Sequence, residues 1–143
     1  MSAEQGETER NKAVVRRFVE GVQNRKDFAV YDELTAEDFV NLSAPPGVGA
    51  DKAGGRAYLG AMLGAFPDAH FAIDDMIAEG DRVATKKTFT GTHTAAFGEI
   101  PATGRPVTLQ YVDILRLRDG RIVEHWLSMD QLSFLRQLGV LPG

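Results

Sequence analysis

The sequence predicts an α+β fold, and three observations carry that prediction. Apolar residues recur at three- and four-residue steps in the first half of the chain, but from about residue 70 they alternate one by one, so helices come first and strands afterwards. Two runs rich in β-branched and aromatic residues flank a tight Asp119-Gly120 turn, which is a hairpin signal. Finally, 143 residues with 43% hydrophobic content suffice for one core and are too few for two comfortable ones. Helices ahead of a run of antiparallel strands pack on one face of a curved sheet.

Residues 1–8 are polar and acidic and read as a flexible N-terminal tail, with one domain over 9–143. Between 9 and 24, Val14, Val15, Phe18, Val19 and Val22 form the stripe of an amphipathic helix, with Arg16, Arg17 and Glu20 outside it. A short helix follows over 28–34. Residues 37–43 read as a strand, ended by Ala44-Pro45-Pro46-Gly47, whose prolines block further ladder pairing. A third helix over 51–65 places Tyr58, Leu59, Met62 and Leu63 on one side and stops before Pro67. Strands over 70–78 and 82–92 meet at the turn Glu79-Gly80-Asp81, a loop runs over 93–105, and the hairpin follows. The last helix starts near Asp130, placed as an N-cap, and ends at Gly139 with Pro142 beyond it.

Alternate strand residues share a face, so Leu109, Tyr111, Asp113 and Leu115 point the same way and one carboxylate stands in an apolar row. An isolated carboxylate avoids such a place unless it is paired, neutralised or used. The net charge is −4 and the Lys and Arg residues are scattered, which argues against a nucleic-acid surface. No cysteine is present, so disulfides, thiolate metal sites and cysteine nucleophiles are excluded. The three histidines, His70, His93 and His125, lack the close spacing of a helical metal motif, so no metal is expected. Neither a signal peptide nor a membrane-spanning run is visible, and a soluble cytoplasmic protein is the default expectation.

The element order, together with Gly91-Thr92-His93-Thr94, Ile100-Pro101-Ala102-Thr103-Gly104-Arg105-Pro106-Val107, Asp119-Gly120-Arg121-Ile122-Val123-Glu124-His125-Trp126 and Arg136-Gln137-Leu138-Gly139, resembles the SnoaL-like polyketide cyclase family. That family belongs to the nuclear transport factor 2-like (cystatin-like) superfamily, with ketosteroid isomerase and limonene epoxide hydrolase. The resemblance spans roughly residues 9–142. It implies a conical barrel in which a bent, mostly antiparallel sheet wraps the N-terminal helices, a deep apolar pocket, and a homodimer formed through the sheet. It also implies intramolecular aldol closure of a polyketide ester by acid/base side chains, without metal or organic cofactor. In this resemblance Asp113 takes the place of the protonated Asp that serves ketosteroid isomerase as oxyanion donor, and desolvation would keep it neutral. Two departures accompany it: Leu127 stands where the aromatic polyketide cyclases carry an acid/base Asp after the Trp, and Ser43 where ketosteroid isomerase has its base.

Asp113 is therefore the first catalytic candidate. His125, which shares a face with Leu127 and Met129, is the second, as a base near neutral pH or else a satisfied core histidine. Substrate-binding candidates are Phe18, Leu127 and Met129, with Tyr111 as a hydroxyl donor beside Asp113 and Asn41 and Ser43 near the end of the first strand. Lys87, in phase with Thr85 and Phe89, aligns with a pocket Arg of the epoxide hydrolase, although a solvated lysine is the expected state. His93 could line the pocket mouth from its loop, although loop histidines are mostly solvated. Trp126 falls on the opposite face as packing or dimer contact, and Asp130 is expected to cap a helix. Three functions fit: a cofactor-independent cyclase or isomerase acting on a small hydrophobic carbonyl compound, a non-catalytic ligand-binding or assembly module, and a limonene-type epoxide hydrolase. The last is weakened because Lys87-Thr88-Phe89 replaces the Arg-x-Asp expected there.

Overall fold

The computed structural model describes residues 2–141. Helix α1 (Ala3–Phe18) begins well before residue 9, because Ser2 and Gln5 form a reciprocal capping box that satisfies the first free N–H groups. Residues 3–8 of the expected tail are thus helical. The stripe turns Val15 into the core and continues through a π-helical turn, Val19–Asn24, that buries Val19, Val22 and Gln23. Helix α2 (Phe28–Leu34) is capped by Asp27, and α3 (Lys52–Ala65) by Asp51.

Strand β1 (Thr35–Asn41) starts and ends two residues earlier than the sequence pattern suggests. It is a parallel edge strand along β5 with a register shift between Thr35 and Val40, so it need not show clean alternation. Strands β2 (His70–Glu79), β3 (Arg82–Thr92), β4 (Pro106–Arg118) and β5 (Arg121–Met129) form the antiparallel remainder. The sheet order is β1-β5-β4-β3-β2. Asp119 and Gly120 both have positive φ, 52° and 77°, as a type I′ hairpin turn requires. Register shifts in β2 and β5 bend the sheet around the helices without its edge strands pairing, so the barrel stays open on one side.

Alternation holds along the hairpin. Val107, Leu109, Asp113, Leu115 and Leu117 are buried, whereas Val112 and Trp126 face outward, 38% and 41% exposed. The inner face meets Val15, Val19, Val22, Leu59, Leu63 and Phe66 from the helices. Helix α4 (Gln131–Gln137) begins at Asp130, whose carboxylate accepts the Ser133 N–H as expected of an N-cap, and Gly139 follows with φ 77°. Pro142, expected beyond that helix, lies outside the described residues. No helix among the described residues is long and apolar enough to cross a membrane.

Candidate functional site

Between the concave face of the sheet and the helices lies a cavity of about 210 Å3. Its wall is aromatic and aliphatic, with Phe18, Tyr31, Phe39, Tyr58, Phe71 and Phe89 among the contributors, and its ionisable side chains are few. They gather on β3, β4 and β5, because Lys87, Asp113 and His125 all occupy inward-facing positions. Among the described residues no cluster of three or more His, Asp or Glu side chains could hold a metal ion.

Lys87 and Asp113 form the polar floor. The Lys87 ammonium donates to Asp113 Oδ2 at 2.7 Å and to Gln23 Oε1 at 3.1 Å, with the side chains only 1% and 3% exposed for Lys87 and Asp113. It also lies 5.7 Å from the centre of the Tyr111 ring. Burial is the strongest single influence on Lys87 and pulls its pKa down. Tyr111 and Asp113 together outweigh it, so the ammonium sits above its ordinary value. Burial likewise pushes the Tyr111 hydroxyl up, with the neighbouring Lys87 opposing.

This pair corrects two expectations. Lys87 is not solvated; it is buried, and its ammonium is satisfied by the Asp113 carboxylate on the next strand and by the Gln23 amide oxygen. In place of the expected neutral donor, Asp113 is met by an ammonium, with Oδ2 accepting from Lys87 Nζ at 2.7 Å. Asp113 is the anionic half of an ion pair, and its Oδ1 is buried without a hydrogen-bond partner among the described residues.

His125 stands on the next strand, half-buried, with Nδ1 3.0 Å from Asn41 Oδ1. The Ser43 N–H also donates to that oxygen at 3.0 Å, which fixes it as the carbonyl end of the amide. His125 Nδ1 must therefore carry the hydrogen, and Nε2 keeps the lone pair. Burial lowers the His125 pKa below 6.5; Asp113 opposes this and Lys87 adds to it. The result is a neutral imidazole in one tautomer on a cavity wall.

Of the remaining candidates, Phe18, Asn41, Tyr111, Leu127 and Met129 line the cavity. Ser43 and His93 do not. The Ser43 hydroxyl accepts the Leu127 N–H at 2.9 Å, tying the end of β1 to β5. His93 is fully buried rather than solvated: its Nδ1 accepts the Thr103 N–H at 3.2 Å and its ring packs on Phe66, so it pins the 93–105 loop from within. That loop sends Phe97 into the cavity wall instead.

Gln23 escapes the sequence reading altogether. It sits four residues after Val19, on the buried stripe, and a polar residue in that position was the available signal. The π-helical turn carries it under the sheet, and the next residue, Asn24, bonds the Phe71 backbone N–H and C=O at 2.8 and 3.0 Å.

A family model described as SnoaL-like polyketide cyclase matches residues 13–138. Among solved structures, TsrD from Streptomyces laurentii is 28% identical over 92% of this chain and 96% of its own, with a TM-score of 0.83. AclR from Streptomyces galilaeus, described in provisional terms as a hydroxylase, is 32% identical over 94% and 99%, with a TM-score of 0.82. IdmH from Streptomyces antibioticus, described in provisional terms as a polyketide cyclase, is 34% identical over 90% and 98%, with a TM-score of 0.77. The comparison with curated proteins gave no match.

Proposed function

The chain belongs to the SnoaL-like polyketide cyclase family, and from that premise we propose that it is a cytoplasmic, cofactor-independent acid/base catalyst. Its substrate is a small hydrophobic carbonyl compound, and the reaction an intramolecular aldol condensation or related isomerisation. The observation that carries the reading is the Asn41–His125 hydrogen bond, which leaves Nε2 of a neutral imidazole as a base in an apolar cavity. This base takes the role that Leu127 and Ser43 cannot fill.

In the proposed reaction, His125 Nε2 removes a proton from a carbon next to the substrate carbonyl, and the C–H electron pair becomes the enolate. The enolate carbon attacks a second carbonyl of the same molecule, forming the C–C bond. The resulting alkoxide recovers the proton from the imidazolium, so no atom is gained or lost. Tyr111, beside the Lys87 ammonium, donates to the enolate oxygen where charge develops.

Proton exchange at the activated methylene of 2-tetralone in D2O, followed by NMR, tests this without knowledge of the natural substrate. The wild type should accelerate exchange, and His125→Gln should lower the rate by about 10²-fold or more. Equal exchange by both proteins would refute His125 as base. Bound tetralone without exchange would favour a non-catalytic ligand-binding protein.

A homodimer is part of the same proposal. Ile77, Ala84, Ile114 and Trp126 are successive ladder partners and make an apolar row across the outer sheet face, with Ile77 64% and Trp126 41% exposed. Light scattering at micromolar concentration should give twice the chain mass, and Trp126→Lys should shift it to one.

A further inference from the structure

The floor of the cavity carries a charged acceptor that the proposed proton transfers leave idle. Asp113 Oδ2 is taken by Lys87, but Oδ1 of the same carboxylate, on a residue 2% exposed that lines the cavity, has no partner among the described residues. Thr85 stands opposite Asp113 on the ladder and its hydroxyl is also unpartnered, so it does not satisfy Oδ1. A buried charged acceptor left unpaired is costly, and a ligand that brings a hydrogen to it recovers that cost on binding.

The rest of the wall narrows what the ligand is. Among the described residues Lys87 is the one Lys or Arg lining the cavity, and its charge is matched by Asp113. A carboxylate or phosphate would enter without a counter-charge and face Asp113. His125 Nε2 is a second acceptor on the same wall, so both groups ask the ligand for hydrogens. A cavity of about 150 Å3 is known to hold benzene, and the 210 Å3 here admits a somewhat larger ring system.

We propose that Asp113 Oδ1 is a recognition site for a hydroxyl of the ligand, and that the cavity selects uncharged aromatic compounds carrying a phenolic or enolic O–H. The inference rests on the catalytic reading only for placing substrate in this cavity. It reverses the direction of the contact at Asp113, which accepts a hydrogen from the ligand and donates none. With Tyr111 two residues away on the same face, a carbonyl beside that hydroxyl, as in an enolised 1,3-dicarbonyl, would be held at both oxygens.

Calorimetric titration with 2-naphthol, its methyl ether 2-methoxynaphthalene, and 2-naphthoate tests this. The wild type should bind 2-naphthol at least tenfold more tightly than the ether, and the carboxylate more weakly than either. Asp113→Asn strands the Lys87 charge and is at risk of misfolding, so the double variant Lys87→Met/Asp113→Leu, which removes both charges, is the companion. It should bind naphthol and ether within twofold of each other. The inference is overturned by equal binding of naphthol and ether to the wild type, by a preference that survives in the double variant, or by no naphthol binding up to millimolar concentration. His125→Gln separates this from the catalytic proposal: it should lower tetralone exchange by about 10²-fold or more while keeping the naphthol preference. Loss of exchange with no naphthol preference would sink the recognition site and leave the base in place.

Discussion

Replacing Lys87 by methionine should destabilise the protein far more than replacing both members of the buried pair. The two side chains are 1% and 3% exposed, so removing the ammonium strands a buried carboxylate. Stranding one partner of a buried pair costs about 3–5 kcal/mol, whereas exchanging both for apolar residues of similar volume is often neutral or stabilising. A chain of 143 residues has roughly 7–20 kcal/mol to lose at about 0.05–0.15 kcal/mol per residue. At about 2–4 °C per kcal/mol for a domain somewhat above this size, the single variant should melt roughly 6–20 °C below the wild type. Lys87→Met/Asp113→Leu should melt within a few degrees of it. Thermal unfolding followed by circular dichroism at pH 7.5 reads both. If the double variant is as damaged as the single one, or the single variant is unharmed, the two groups are not an isolated buried pair and the reasoning fails.

Two other outcomes follow from the same geometry. Asn41→Leu removes the acceptor that holds His125 Nδ1–H, so tetralone exchange should fall about tenfold or more while Tm changes little, because Asn41 is only part-buried; unchanged exchange would remove the amide from the mechanism. Gly54→Ala should destabilise by about 1–3 kcal/mol despite the better helix propensity of alanine, since its Cβ would stand 2.0 Å from the Gly49 carbonyl oxygen. A stabilised variant would mean that the segment ahead of α3 gives way freely.

Much of the fold was legible because it rests on local rules. The two-residue period along Leu109, Tyr111, Asp113 and Leu115 places that whole row inside, and the Asp-Gly turn sets the hairpin register. Asp130 reads as a cap because the groups it satisfies lie within three residues. Ser2 and Gln5 carry the same kind of local signal, yet their polar surroundings read as a tail. What stayed hidden depends on contacts far apart in the chain. The burial of Lys87 is set by Asp113, 26 positions away, and by Gln23, 64 positions away. The ion pairing of Asp113 stayed hidden for the same reason, since the row it stands in gives no sign of the ammonium on the neighbouring strand. His93 gave no sign of burial, because the turn that folds Thr103 back onto it lies inside an irregular loop. The boundaries of β1 slipped because its parallel partner, β5, lies more than 80 residues downstream.

The proposed proton transfer requires a neutral His125 with its hydrogen on Nδ1 and its lone pair on Nε2. Because burial lowers its pKa in the folded protein, the unfolded chain takes up a proton first as pH falls below about 6.5. This residue therefore costs no stability above that value, and the loss grows below it until the folded imidazole itself protonates. Long-range proton–nitrogen correlation spectra of uniformly nitrogen-15-labelled protein, with His125→Gln to assign the ring, read tautomer and titration together. The structure leads us to expect an Nδ1–H tautomer and a midpoint below 6.5, whereas an Nε2–H tautomer or a midpoint above 6.5 would rule out His125 as the base.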